Sequence, residues 1–206
     1  MNTQKNSGIR HWWMRAPVLT AFVALLIVAP AWGKLKLDFE ELPEPVEIPN
    51  IEGIDLVSGE TVSLAGLAGH VVVIDIWATW CAPCVRELPE LMEYQAEHAE
   101  ESFTYVGLSI DTIQDTEMVK AFAEKKELNY PILMSNSEIL RVLGRAIGHG
   151  IQAVPTKIVV DRTGHIAFSV AGSPSITDED NAEYLSRLEK LLEAPIPERD
   201  ETALAN

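Results

Sequence analysis

The sequence predicts a mixed α/β sheet with helices on both of its faces and a β-hairpin in front. Three observations carry that expectation. Short apolar runs alternate with helical periodicities, and the run "VVVIDIW" at 71–77 is apolar almost throughout, as strands covered on both faces are. The order closes on two strands joined by a tight turn, which makes the sheet mixed rather than all-parallel. With 47% hydrophobic and 23% charged residues, the 206-residue chain has the composition of one globular domain with extensions.

The first element is a leader, residues 1–33. Lys5, Arg10 and Arg15 precede "APVLTAFVALLIVAPAW", in which Thr20 is the only polar residue. The run is short for a bilayer span of roughly 20 residues and long for a signal-peptide core. Ala29 to Ala31 have the small-x-small form of a signal-peptidase site. An anchor and a cleaved signal are both open, and both place the rest of the chain outside the cytoplasm, because the basic flank stays inside. Residues 34–50 are acidic and carry Pro43, Pro45 and Pro49, a composition that favours a stiff, extended spacer over a packed element.

A folded domain is expected over 51–194, and a disordered tail over 195–206. "IDLVSGETVSL" at 54–64 suits a hairpin around Ser58, Gly59 and Glu60. After the strand at 71–77, Leu88, Leu91, Met92 and Gln95 repeat helically to about Glu100, with Pro89 expected to kink the helix. "FTYVGLSI" at 103–110 is a strand, and 116–128 a helix for which Asp115 is the expected cap. "YPILM" is a short strand and 138–146 a helix. "TKIVVD" at 156–161 and "HIAFSV" at 165–170 flank Arg162-Thr163-Gly164 as a hairpin. A last helix spans 177–193, with Thr177 as N-cap, acids first and basic residues last.

Charge excludes one class of function. Sixteen Lys and Arg against thirty-one Asp and Glu leave −15, which repels nucleic-acid phosphates and anionic headgroups. Nucleic acid is not an expected partner.

Cys81 and Cys84 are the only cysteines, and they stand where the apolar strand hands over to a helix. Positions i and i+3 of a helical turn are close enough to bridge. A bridge over two residues closes almost no loop in the unfolded chain, so stapling is a weak reason for it. The pair suits a bond that opens and closes. Helix N–H groups and the dipole favour a thiolate at Cys81, making it the nucleophile, with Cys84 shielded inside the turn and Pro83 stiffening it. Zinc needs four ligands, and His70, His98, His149 and His165 show no ligand spacing. No metal or cofactor is expected, although Cu(I), which accepts two thiolates, supplies an alternative function as a metallochaperone.

"WATWCAPC" after "VVVID" resembles the active site of the thioredoxin superfamily. With the export segment, "WCAPCVRELP" is similar to the TlpA/ResA/DsbE branch of membrane-anchored or exported thiol-disulfide oxidoreductases. The resemblance covers about residues 46–193. It implies a thioredoxin fold with an extra strand and helix inserted between the first helix and Pro155. It also implies a cis Pro155 in "AVPTKIVV" beside the dithiol, Val154 as a backbone partner for a bound client, and Trp80 as a lid by the sulfurs. Asp75 matches the buried acid of thioredoxins, where burial would raise its pKa toward accepting the Cys84 proton. Glu87 matches the acidic position after the motif, although an acid there ordinarily faces water and favours the helix dipole.

The implied function is an exported reductant of disulfide-containing client proteins, in cytochrome c maturation or copper-site assembly. It would be fed by a membrane electron donor and held in the periplasm by the leader at the inner membrane, or released there after cleavage. Without a histidine between the cysteines, its potential is expected nearer about −270 mV than about −120 mV.

Overall fold

The computed structural model describes residues 39–40, 42–174 and 182–197. The leader, Thr177 and all but the first three residues of the expected tail lie outside them. Among the described residues the strands are β1 (Phe39–Glu40), β2 (Glu52–Ile54), β3 (Thr61–Ser63), β4 (Val71–Trp77), β5 (Phe103–Ser109), β6 (Ile132–Met134), β7 (Thr156–Val160) and β8 (Ile166–Ala171). The helices are α1 (Ala82–His98), α2 (Thr116–Lys126), α3 (Ser137–Ala146) and α4 (Ala182–Leu192).

Six strands form one sheet in the order β1-β8-β7-β4-β5-β6, and β2 and β3 form a separate hairpin. β4, β5 and β6 run parallel, whereas β7 enters antiparallel beside β4 and pairs with β8 through the turn at 161–165. β5, α2, β6 and α3 fill the stretch between α1 and Pro155, where the additional strand and helix are expected.

Side-chain alternation along β4 divides the core. Val71, Val73 and Trp77 pack with Leu88 and Leu91 of α1, Val119 of α2, and Tyr184 and Leu188 of α4. Val72, Ile74 and Ile76 face the other way, onto Leu143 of α3 and onto Ile51 and Leu64 beside the hairpin. Both faces are covered, which is why apolar residues follow one another without a polar alternate. Asp75 shares the parity of Val73 and Trp77, so it points into the α1 face.

Two local expectations change. The described part of the 34–50 segment docks on the domain at points: Phe39 and Glu40 pair with Val170 and Ser169 of β8, and the Ile48 N–H donates to the Gly164 carbonyl at 2.8 Å. The β8 edge would otherwise leave a row of backbone groups unpaired, and Phe39 meets Phe168 edge-on with ring centroids 5.8 Å apart. Asp115 occupies the N-cap of α2 without capping it, because its carboxylate accepts instead from Thr112 Oγ1 at 2.6 Å. Helix α1 runs from Ala82 to His98 with Pro89 inside it, as the periodicity to about Glu100 predicts.

Candidate functional site

β4 ends at Trp77 and the chain turns sharply into α1. Asp111, just beyond β5, holds that turn: its carboxylate accepts from the Thr79 N–H at 2.9 Å, the Thr79 hydroxyl at 2.7 Å and the Ser109 hydroxyl at 2.8 Å. Cys81 is the N-cap of α1 and accepts from the Cys84 N–H at 3.3 Å, with Pro83 in the first turn where no N–H is needed. The two sulfurs are joined as a disulfide over a Cα separation of 5.3 Å. Cys81 keeps 5% of its surface and Cys84 none. The outer position of Cys81 follows from its being the cap, while Cys84 lies on the buried stripe of the helix.

The Val154–Pro155 bond is cis. Ile76 of β4 pairs with Thr156 of β7, so Pro155 stands at the sheet end from which α1 departs. Val154 and Trp80 line a groove of about 690 Å³ together with Ile110, Leu140 and Ile151. Trp80 is 66% exposed, whereas Trp77 is fully buried in the core. Ser137, Arg141 and Gln152 add polar groups to the groove's lining, so the exposed indole stands at the rim of a mixed groove.

Behind the disulfide lies a group of buried charges. Asp75 sits opposite Lys157 in the β4–β7 register. The Lys157 ammonium donates to Asp75 Oδ1 at 2.8 Å and to Glu87 Oε1 at 2.9 Å, and the Ser173 hydroxyl donates to Glu87 Oε2. Lys157, Asp75 and Glu87 are 0%, 1% and 4% exposed. Glu87 therefore does not face water. Burial drives its pKa up to about 7, with Asp75 adding to the rise and Lys157 opposing it. Burial by itself would lower the Lys157 pKa, but the two carboxylates, Asp75 foremost, raise it above its ordinary value. Asp75 Oδ2 is buried with no hydrogen-bond partner among the described residues.

All seven residues singled out in the sequence, Asp75, Trp80, Cys81, Cys84, Glu87, Val154 and Pro155, come to one end of the sheet. Sequence reasoning missed Lys157, Ser173 and Asp111. A signal for Lys157 existed, since it is the one cation in the apolar run "TKIVV" and a strand carrying a buried acid needs a partner. Glu87 likewise falls three residues after Cys84 and four before Leu91, on the stripe that also buries Leu88 and Tyr94. Gly107 faces Asp75 from β5, and a Cβ there would lie 2.6 Å from Ile132 Cδ1 and 3.1 Å from Trp77 Nε1. Among the described residues no three His, Cys, Asp or Glu side chains gather as a metal site.

Residues 44–185 match the Redoxin family. The thiol-disulfide oxidoreductase ResA of Bacillus cereus (strain ATCC 10987 / NRS 248) is 28% identical over 178 residues, covering 83% of this chain and 96% of that protein. The thioredoxin-like protein YneN of Bacillus subtilis is 32% identical over 111 residues, which is 53% of this chain and 61% of that one. Among solved structures, a thiol:disulfide interchange protein of the thioredoxin family from Chlorobium tepidum TLS aligns with a TM-score of 0.63 at 28% identity, covering 72% of this chain and 97% of that one. A DsbF homologue from Corynebacterium diphtheriae aligns with a TM-score of 0.62 at 25% identity, covering 77% and 95%.

Proposed function

The chain belongs to the Redoxin family, and on that premise we propose that this thiol-disulfide oxidoreductase works outside the cytoplasm as a reductant of protein disulfides. The observation that carries the reading is the asymmetry of the pair: Cys81 caps α1 at the surface end, Cys84 is sealed behind it, and both lie beside a cis proline whose neighbour Val154 lines an open groove. In the reduced protein Cys81 is the better thiolate, because the free N–H groups of the first turn and the helix dipole stabilise its charge.

A client chain lies in the groove against Trp80, with its backbone along Val154 beside Pro155. The Cys81 thiolate attacks one client sulfur, forming a mixed disulfide and releasing the other client sulfur as a thiolate. Cys84 then loses its proton and attacks Cys81. The Cys81–Cys84 bond forms, the second client sulfur leaves, and two electrons have passed to the client. Asp75 and Glu87 are the carboxyls assigned in this reading to the Cys84 proton. A membrane dithiol donor restores the pair. Clients in cytochrome c maturation or copper-site assembly are the ones suggested by the TlpA/ResA/DsbE resemblance.

The leader supports export, and the domain is proposed to remain tethered by it at the inner membrane of the periplasm. Among the described residues no helix is long and apolar enough to cross a membrane, and the leader lies outside them. Mass spectrometry of the native protein tests the tether: a mature chain beginning at Trp32 would show a cleaved signal instead.

The mechanism is tested by Cys84→Ser. This variant should attack clients and stall, giving discrete higher-mass bands on non-reducing electrophoresis of envelope extracts that collapse with reductant. Cys81→Ser should trap almost nothing. Equal trapping would overturn the assignment of nucleophile and resolver, and no trapping by either would overturn the oxidoreductase mechanism. A Cu(I) carrier would lose metal equally in both variants and accumulate no adducts.

A further inference from the structure

A lysine with no exposed surface in a central strand is expensive to desolvate, and it persists only where its charge is answered. Lys157 is answered twice, by Asp75 from β4 and by Glu87 from α1. Among the described residues, one cation against two carboxylates leaves an excess negative charge in a site closed to water. A single proton held by the trio removes that excess. Glu87 is the carboxyl on the same helix as Cys84 and three residues further on, so one turn of α1 separates it from the resolving thiol.

We propose that Lys157 is a positioning residue of the thiol–disulfide reaction, holding the Glu87 carboxylate on the buried face of α1 and balancing its charge so that it accepts the proton Cys84 loses. The proposal rests on the oxidoreductase reading above and deepens it. When the mixed disulfide is resolved, the Cys84 S–H bond breaks, its proton goes to a Glu87 oxygen, the Cys84 sulfur bonds to Cys81, and the client sulfur leaves with the electron pair of the broken bond. When a dithiol donor reduces the pair again, Cys84 leaves as a thiolate and recovers the proton from Glu87.

The phenols packed around the trio add no titration in the range where Glu87 titrates. Tyr105 from β5, Tyr130 just before β6 and Tyr184 from α4 are buried around it, and burial first, with neighbouring groups that include Asp75 adding, lifts all three phenols well above their ordinary value. They stay protonated wherever Glu87 titrates. Ser173 supplies a neutral hydrogen bond to the oxygen of Glu87 that Lys157 does not hold.

The roles separate in the two-phase reaction of the reduced full-length protein with 5,5′-dithiobis(2-nitrobenzoate). The first thionitrobenzoate reports attack by Cys81, and the second reports resolution by Cys84. Followed from pH 5 to 9, the second phase of the wild type should inflect near pH 7, where the Glu87 carboxyl titrates. Asp75→Asn removes the charge that pushes a proton onto Glu87 while leaving Lys157, so the inflection should move toward acid.

Asp75→Asn/Lys157→Met contains no unpaired fixed charge and keeps only Glu87, held protonated by burial. Its inflection should move toward alkali by at least one unit, making the second phase at least tenfold slower than in Asp75→Asn at pH 7. Glu87→Gln should lose the inflection. A merely structural lysine would leave the profiles of the single and double variants the same, and that result overturns the proposal, as does an unmoved inflection in Asp75→Asn alone or one near pH 7 in Glu87→Gln. Absence of the first phase from the wild type would instead sink the oxidoreductase reading itself.

Discussion

Two buried cations five residues apart on one hairpin do different work. Lys157 lies near the start of β7 and Arg162 in the turn after its end, 0% and 5% exposed. Among the described residues Arg162 donates only to backbone carbonyls: Nη1 to Gly69 at 2.9 Å and Ser102 at 3.4 Å, Nη2 to Glu101 at 2.9 Å and Leu192 at 2.8 Å. Those oxygens accept no proton at any ordinary pH, so the guanidinium ties the segment before β4, the end of the α1 region and the end of α4 together as a fixed clamp. Lys157 donates to carboxylates, whose charge can be cancelled by a proton. The acceptor, more than the cation, decides whether a buried positive charge holds a fold together or takes part in chemistry.

The largest expected effect is that of Lys157→Met, which leaves Asp75 and Glu87 buried without their cation. Urea unfolding should show a loss of about 3–5 kcal/mol at pH 8, shrinking toward pH 5 as protons replace the missing charge. A loss of the same size at both pH values would erase the distinction between the two cations. Arg162→Met should cost about 2–4 kcal/mol through four carbonyls stripped of a charged donor, equally at both pH values. Its resolution profile should match the wild type, and a displaced profile would mean that the clamp reaches the dithiol after all.

Glu87→Gln sharpens the comparison from the acid's side. The folded-state pKa of Glu87, about 7, lies above the ordinary 4.5. The folded protein therefore binds more protons than the unfolded chain between those values, and the stability this group contributes is fully present below about 4.5 and lost as pH rises through 7. Relative to wild type, Glu87→Gln should gain on the order of 2–3 kcal/mol between pH 4 and pH 8, measured as the difference between their unfolding free energies. Asn136→Ala supplies the smallest effect. Asn136 caps α3 on the opposite face of the sheet, accepting from the Ile139 N–H at 2.9 Å. Its loss should cost about 1 kcal/mol, with no pH dependence and no change in either phase of the thiol reaction.

The parts of the site that were legible in sequence are those with a local signature. Cys81, Pro83 and Cys84 lie within four positions of one helical start, so spacing alone brings the sulfurs together. Trp80, Val154 and Pro155 came from resemblance, whose motif matches residue by residue. Arg162 was legible only as part of a turn, because the carbonyls it binds belong to segments 30 to 93 residues away.

The amino-acid sequence by itself determined the alternation of strands and helices, the mixed sheet, and the place of the dithiol at a helix start, because each rests on periodicity or spacing within a few residues. It also marked Asp75 as a buried acid, since the strand around it is apolar. Only the tertiary structure decided what answers that acid. Lys157 is 82 residues from Asp75 and 70 from Glu87, and the antiparallel register of β7 on β4 with the rotation of α1 over both brings the three together. Nothing in local sequence encodes that register. Charge in a site closed to water is strongly constrained by its neighbours, so the partner that completes the site is supplied by the fold.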